Sequence, residues 1–353
     1  MDIKKIPVFN LIQSEKEAFL LKNLNKLTKF HMKNCHEYAT LMTKFSEITD
    51  QARSIKDIPF LPVRLFKHID LLSVPSKDVI KTMTSSGTSG QEVSKIYLDK
   101  ETSAFQIKVL SKIVSDFIGS KRLPMLVIDC KSTISNRHKF SARTAGILGF
   151  SMFSRDQEFA LDDDMSINLD RVSDFVERHK NENILIFGFT FVIWKHFIEQ
   201  LENLNSTFNI PNGILIHGGG WKQMELQSVS NKEYKKRIFS ITKIKKIHNY
   251  YGMVEQTGSI FVECEAGYLH ASSYSDIIIR DSMHYQPRNI GEEGLIQLIS
   301  LIPKSYPGHS LLSEDIGEIH GIDDCECGRK GKYFLVHGRL KNSESRGCSD
   351  TYT

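Results

Sequence analysis

Three short apolar runs, each followed by a stretch with helix-like spacing, restrict the fold of this chain more than any other feature. Residues 123–129, 184–189 and 213–217 suit strands buried on both faces. An amphipathic segment, 221–241, follows the third run. Such alternation predicts an α/β layered domain with at least partly parallel strands. Ligands of these sheets bind beyond the carboxyl ends of the strands, which is where Gly218-Gly219-Gly220 falls. Upstream, Leu11, Ile12, Phe19, Leu20, Leu24, Leu27 and Phe30 predict helix over 11–45. Residues 94–98 read as a short strand, with Asp99 or Thr102 capping a helix near 103–118. Strand-like pieces at 260–263, 276–280 and 295–301 predict a β-rich subdomain. The expected partition is therefore an α/β part over 1–260, a β-rich part over 261–340 and a flexible tail over 341–353.

Composition bounds the function. With 353 residues, 40% hydrophobic and 25% charged, the chain can bury a sizeable core. A net charge of +4 from 46 basic and 42 acidic residues gives no concentrated basic face, so no nucleic-acid partner is expected. No apolar run approaches the roughly 18 residues of a membrane span. The amino terminus lacks a signal-peptide core, and six scattered cysteines are no disulfide scaffold. A cytoplasmic protein with reduced thiols is expected.

The chemistry concentrates in five stretches. Ser85-Ser86-Gly87-Thr88-Ser89-Gly90 packs hydroxyls and glycines into a loop, with Lys95 beyond it. Glycines let the backbone turn its N–H groups to one concave side, which suits nucleotide phosphates; the same composition also marks surface turns. His217-Gly218-Gly219-Gly220-Trp221 forms a strand-to-glycine corner where a flat base or acyl group can approach the backbone, or simply a tight turn. Asn249-Tyr250-Tyr251-Gly252-Met253-Val254-Glu255 offers rings for a base and a carboxylate for Mg²⁺. Glu314-Asp315-Ile316-Gly317-Glu318 reads as an acidic turn for ribose hydroxyls. His337-Gly338-Arg339-Leu340-Lys341 places a cation after a glycine. Singly, each of the last three also fits a solvated loop or strand end.

Together, in this order, they resemble the adenylate-forming superfamily of acyl-CoA synthetases, luciferases and peptide-synthetase adenylation domains. Ser86–Gly90 looks like its phosphate loop, Tyr251-Gly252-Met253-Val254-Glu255 like its Tyr-Gly-x-Thr-Glu motif, Asp315 like its ribose-binding aspartate, and Gly338-Arg339 like the pair before its domain hinge. The loop leading to Ser94-Lys95-Ile96-Tyr97-Leu98-Asp99, the corner His217–Lys222 and the terminal Arg346-Gly347-Cys348-Ser349-Asp350-Thr351-Tyr352 are similar to the acyl-protein synthetases of bacterial bioluminescence. That resemblance implies the large layered domain of an adenylate-forming enzyme plus a β-rich subdomain. It implies ATP and Mg²⁺, a carboxylic or fatty acid substrate, and Cys348 as acyl acceptor. It also implies an NADPH-dependent acyl reductase, or an acyl transferase, as partner. Glu255 would hold Mg²⁺; Gly218, Gly219, Gly220, Tyr250 and Tyr251 would lie by adenine; Asp315 and Arg339 would lie by ribose.

The sequence departs from the superfamily pattern at three points. Val254 stands where a threonine is usual, and two more residues than usual separate Gly90 from Lys95. After Gly338-Arg339 there is no room for the mobile carboxyl-terminal domain, as in the acyl-protein synthetases, so that domain is expected to be absent or vestigial. Two other functions stay open: delivery of the acyl group to coenzyme A or a carrier protein in surface-polysaccharide or secondary-metabolite assembly, and a non-catalytic nucleotide-binding scaffold. Cys35, Cys130 and Cys264 read as core residues. Cys325-Glu326-Cys327, with His320 and His337 nearby, resembles half a zinc site, but Cys-x-Cys is tighter than the usual Cys-x₂₋₄-Cys spacing.

Overall fold

The computed structural model describes residues 5–45, 51–85, 92–135, 141–221 and 228–340. They fall into two compact units. One joins the chain up to Val114 with the chain from Gly252 onward; the other is Ser115–Tyr251.

The second unit is built on five parallel strands. Leu123–Cys130 lies between Ser154–Leu161 and Ile184–Phe189, and the sheet continues through Gly213–Gly218 to Lys246–Tyr251. In chain order this is 2-1-3-4-5, a doubly wound arrangement whose direction reverses beside the first strand. Ile184–Phe189 and Gly213–Gly218 are buried at every position. That burial explains why they read as unbroken apolar runs, since parallel strands are covered on both faces. Helices Ala142–Ser151, Leu169–Arg178 and Asn231–Thr242 make connections between strands. The third of these is shorter than the amphipathic segment expected over 221–241; Ser230 accepts from the Glu233 N–H at 3.2 Å and sets its start.

The first unit holds an antiparallel sheet in the order Ser275–Arg280, Gly294–Ser300, Ser310–Ile322, Lys332–Arg339, Leu269–His270, Phe261–Glu263. Leu61–Pro62 adds to Ser310–Ile322 in parallel. Glu314–Glu318 is therefore the middle of a 13-residue strand, not the acidic turn that its composition predicts. Its polar residues are accommodated by pairing: Ser313 donates to the Ile296 carbonyl at 2.8 Å, and Asp315 lies opposite Arg339.

Helices Gln13–Asn34 and His36–Phe45 divide the predicted 11–45 helix at Cys35, whose backbone is extended. The amino-terminal segment is tied into the late part of the chain. Ser273 N–H donates to the Val8 carbonyl at 2.7 Å, and Lys330 N–H to that of Phe9 at 2.8 Å. Lys16, fully buried, reaches the Ala271 carbonyl at 3.0 Å and Asp276 at 3.6 Å; Lys332 contacts the same carboxylate at 3.2 Å. Burial alone would push Asp276 up, but the two ammonium groups outweigh it and hold the carboxyl below its usual range. Among the described residues, no helix is long and apolar enough to cross a membrane.

Candidate functional site

Val79–Thr84 and Lys95–Asp99, which flank the hydroxyl stretch in sequence, pair as an antiparallel hairpin in the first unit. Ser85 and Ser94 close its neck twice over. The Ser85 N–H donates to the Ser94 carbonyl at 2.9 Å, and the Ser94 N–H donates to the Ser85 hydroxyl at 2.9 Å. Lys95 stands opposite Thr84 as the first residue of the returning strand, exposed at the base of the loop. Ser86, Gly87, Thr88, Ser89 and Gly90 lie outside the described residues, as do Cys348 and the rest of the 341–353 tail. Asp99 accepts from the Thr102 N–H at 2.8 Å and caps the helix Lys100–Ile118, which takes the chain away from the hairpin.

Glu255 sits in a single 3₁₀ turn, Val254–Gln256, and is fully buried. The turn is anchored through its main chain and through the neighbouring amide side chain. Tyr306 donates to the Glu255 carbonyl at 3.0 Å, and the Gln256 amide donates to Gly308 and Leu298 carbonyls at 2.9 and 3.1 Å. Beside Tyr306, the Ser305 hydroxyl donates to the Tyr97 carbonyl at 2.6 Å. One connection between two strands therefore fixes both the Glu255 turn and the strand returning from the hydroxyl loop. Ile96, Leu98, Tyr306, Met253 and Val254 share one apolar cluster beneath them. Ser305 and Tyr306 were not among the sequence candidates; neither motif nor spacing marks them.

Asp315 and Arg339 meet across neighbouring strands. They are register partners, and Arg339 Nε donates to Asp315 Oδ1 at 3.0 Å. The carboxylate side is nearly buried and the guanidinium more than a third exposed.

The glycine corner and the tyrosine belong to the second unit and come together there. Gly218 is the register partner of Tyr250. A Cβ on Gly218 would lie 2.6 Å from the Tyr250 ring, so only glycine lets the ring lie flat against this backbone. Gly219, at φ +85°, is covered by Phe189; at Gly220, φ +65°, a Cβ would meet open space. His217 donates to or accepts from Thr190 Oγ1 at 2.9 Å, and Thr190 donates to the Gly218 carbonyl at 3.1 Å. Burial, with Lys235 and His248 adding to it, pushes the His217 imidazole down to about 3. Tyr251 ends its strand half-buried, and Gly252 follows it as the first residue of the other unit.

Two groups escaped the sequence. Asp129 and Arg143 form a buried ion pair at the carboxyl end of the first parallel strand, with Arg143 Nε 2.8 Å from Asp129 Oδ2. Cys325 and Cys327 do gather further ligands, but neither His320 nor His337. His320 stacks on Tyr268 at 4.3 Å and His337 lies 3.6 Å from Glu293, whereas Cys264 and His270 join the pair.

Known proteins match this chain along most of its length. A long-chain-fatty-acid–luciferin-component ligase of Aliivibrio fischeri is 24% identical over 329 residues, covering 91% of this chain and 84% of the relative. The enzyme of that name from Vibrio harveyi is 22% identical over 333 residues, with the same coverage. Among solved structures, 2-hydroxyisobutyryl-CoA ligase in the postadenylation state superimposes with a TM-score of 0.72 at 16% identity, over 95% of this chain and 70% of that one. An open conformation of that ligase gives 0.71, covering 77% of the ligase chain. A long-chain-fatty-acid-CoA ligase from Archaeoglobus fulgidus gives 0.51 at 13% identity, over 75% of this chain and 52% of the other. The fold is that of the adenylate-forming ligases. The profile of the acyl-protein synthetase (LuxE) family matches residues 4–353, and the chain belongs to that family.

Proposed function

We propose that this protein joins a carboxylic acid, of the fatty-acid class, to AMP at the expense of ATP, and then moves the acyl group onto its own Cys348. In the first half, a carboxylate oxygen of the acid attacks the α-phosphorus of ATP and pyrophosphate leaves. In the second, the Cys348 thiolate attacks the acyl carbon of the mixed anhydride and AMP leaves, giving a thioester. The thioester keeps enough free energy for reduction by an NADPH-dependent acyl reductase or for an acyl transfer.

The observation that carries this proposal is the Ser305–Tyr306 connection, which holds the buried Glu255 turn and the strand of the hydroxyl hairpin on one framework. Charge stabilisation in a phosphoryl-group reaction works through donors and charges fixed before the substrate arrives. Ser85 and Lys95 at the hairpin neck are the phosphate-side groups. Asp315, backed by Arg339, offers carboxylate oxygens to ribose hydroxyls, while the open face at Gly220 and the Tyr250 ring suit a planar base. Glu255 is the carboxylate here of the kind Mg²⁺ takes, its burial fitting a position that is occupied by a cation during turnover. Mg²⁺, when bound, offsets phosphate charge. The family's description as acyl-protein synthetases favours a protein acceptor over coenzyme A.

The test is ATP–pyrophosphate exchange across short, long and hydroxylated acids. Acid-dependent, Mg²⁺-dependent exchange is expected, and its absence from a folded sample with every acid would overturn enzyme function. Glu255→Gln is expected to slow exchange by at least about a hundredfold while the protein stays folded, against about twofold for a mere surface acid. Cys348→Ser is expected to retain exchange and to lose the hydroxylamine-sensitive acyl adduct detected by mass spectrometry. Full labelling of that variant would overturn Cys348 as the acceptor and move the acyl group to another thiol of the protein.

A further inference from the structure

Four side chains of metal-ligating type, none of them given a role above, converge in the first unit. The ligand atoms of Cys264, His270, Cys325 and Cys327 all lie within 4.8 Å of one another. Cys264 and His270 are fully buried, Cys325 nearly so and Cys327 half-buried. Sulfur at about 2.3 Å from a tetrahedral zinc sets neighbouring sulfurs about 3.8 Å apart, and a sulfur and an imidazole nitrogen about 3.6 Å apart. Cys264 Sγ and Cys325 Sγ are 3.8 Å apart, and Cys327 Sγ is 3.3 Å from His270 Nε2. The first distance is far beyond a sulfur–sulfur bond of about 2.05 Å.

The backbone around the cluster is shaped in two matching turns. Cys264-Glu265-Ala266-Gly267 and Cys325-Glu326-Cys327-Gly328 each close with the glycine N–H donating to the first cysteine's carbonyl, at 3.0 and 2.9 Å. Each glycine is left-handed, φ +90° and +84°. Such a turn curls its own N–H groups onto the cysteine sulfur. Ala266 and Tyr268 N–H groups donate to Cys264, and the Cys327 N–H donates to Cys325. N–H donors of this kind stabilise thiolates and orient them for a metal. The curl also answers the objection from Cys-x-Cys spacing, because both sulfurs of the second turn face one point. Arg329 Nη1 and Glu265 Oε2, 2.9 Å apart, join the two turns beside the cluster.

We propose that Cys264, His270, Cys325 and Cys327 bind one zinc ion as a structural site. Three thiolates and one imidazole form a closed, tetrahedral donor set with no position left for substrate, which is the structural rather than the catalytic pattern. Soft sulfur donors exclude Mg²⁺ and Ca²⁺. On binding, the three thiols release their protons to solvent and the imidazole donates its neutral lone pair. The ion would clamp the loop following Phe261–Glu263 to the loop preceding Lys332–Arg339, the strand that carries Arg339.

The full chain, purified without chelator or metal-affinity tag, is expected to carry about one zinc per chain by plasma mass spectrometry. His270→Ala and Cys327→Ser are expected to keep less than about a tenth of that after passage over chelating resin, whereas His320→Ala keeps it all. Cobalt supplied to metal-stripped protein is expected to give the intense visible bands of a tetrahedral thiolate site, which needs no variant to fold. Zinc-free wild-type protein whose thiols all react with a thiol reagent in the native state would overturn the site. So would a Cys264–Cys325 disulfide in a non-reduced peptide map, or stoichiometric iron or copper in place of zinc. None of these readouts involves turnover, so they stand or fall independently of the acyl-transfer proposal.

Discussion

At the scale of single residues, buried polar groups decide the most. His217 lies at the end of a parallel strand with its imidazole held neutral, its protonation pushed down to about 3 by burial. In the unfolded chain the same group protonates near pH 6.5. Between those values the unfolded state takes up a proton that the folded state refuses, so stability falls as pH drops from about 6.5 towards 3. One such histidine removes up to about 1.4 kcal/mol per pH unit across that window. Both tryptophans, Trp194 and Trp221, lie in the same unit as His217, so their fluorescence reports its unfolding. Urea midpoints followed by tryptophan fluorescence from pH 7 to 4 should therefore fall less steeply in His217→Gln than in the parent. Equal slopes would mean that His217 takes up its proton in the folded protein as readily as outside it.

At the scale of elements, the glycine corner gives the sharpest expectation. Gly218→Ala puts a methyl group 2.6 Å from the Tyr250 ring, inside any permitted contact. The ring or the strand must move, at a cost of about 1–3 kcal/mol. A midpoint within about 0.3 kcal/mol of the parent would show that the ring is not packed on this backbone. Elements also differ in how far the sequence discloses them. Ile184–Phe189 and Gly213–Gly218 could be read because burial on two faces leaves only apolar residues. Ser154–Leu161 could not: it is an edge strand whose first half is polar and only partly covered. Ser310–Ile322 was hidden because Ser310, Ser313 and Asp315 are buried with hydrogen-bonded or paired side chains, a condition that pattern alone cannot reveal. Glu255, Asp315, Arg339 and the glycines could be named as candidates because chemistry restricts residue type at fixed order. The cysteine–histidine cluster could not, since more than fifty residues separate Cys264 and His270 from Cys325, and only strand pairing brings them together.

At the scale of the whole molecule, the first unit is discontinuous in sequence, with Ser115–Tyr251 inserted into it. Val8, Phe9, Gln13 and Lys16 bond to residues more than 250 positions later. Removing residues up to Asn34 would leave Asp276 buried with one cation fewer, strip Leu20 and Leu24 from the core and free two backbone donors. Losing one partner of a buried ion pair alone costs about 3–5 kcal/mol. The truncated chain should be digested rapidly by trypsin in its first unit, while fragments within Ser115–Tyr251 persist. Equal resistance of both parts would show that the helix Gln13–Asn34 is an accessory. The insertion also sets a timetable for synthesis on the ribosome. After Val114 emerges, roughly 225 further residues must be made before Lys332–Arg339 is available, about 10–45 s at ordinary elongation rates. During that interval the middle of the chain can complete its own fold, while the apolar faces of the first two helices wait without their sheet. Yield in a recombinant host should thus depend on chaperones that hold nascent amino-terminal helices, more than on the stability of the finished protein.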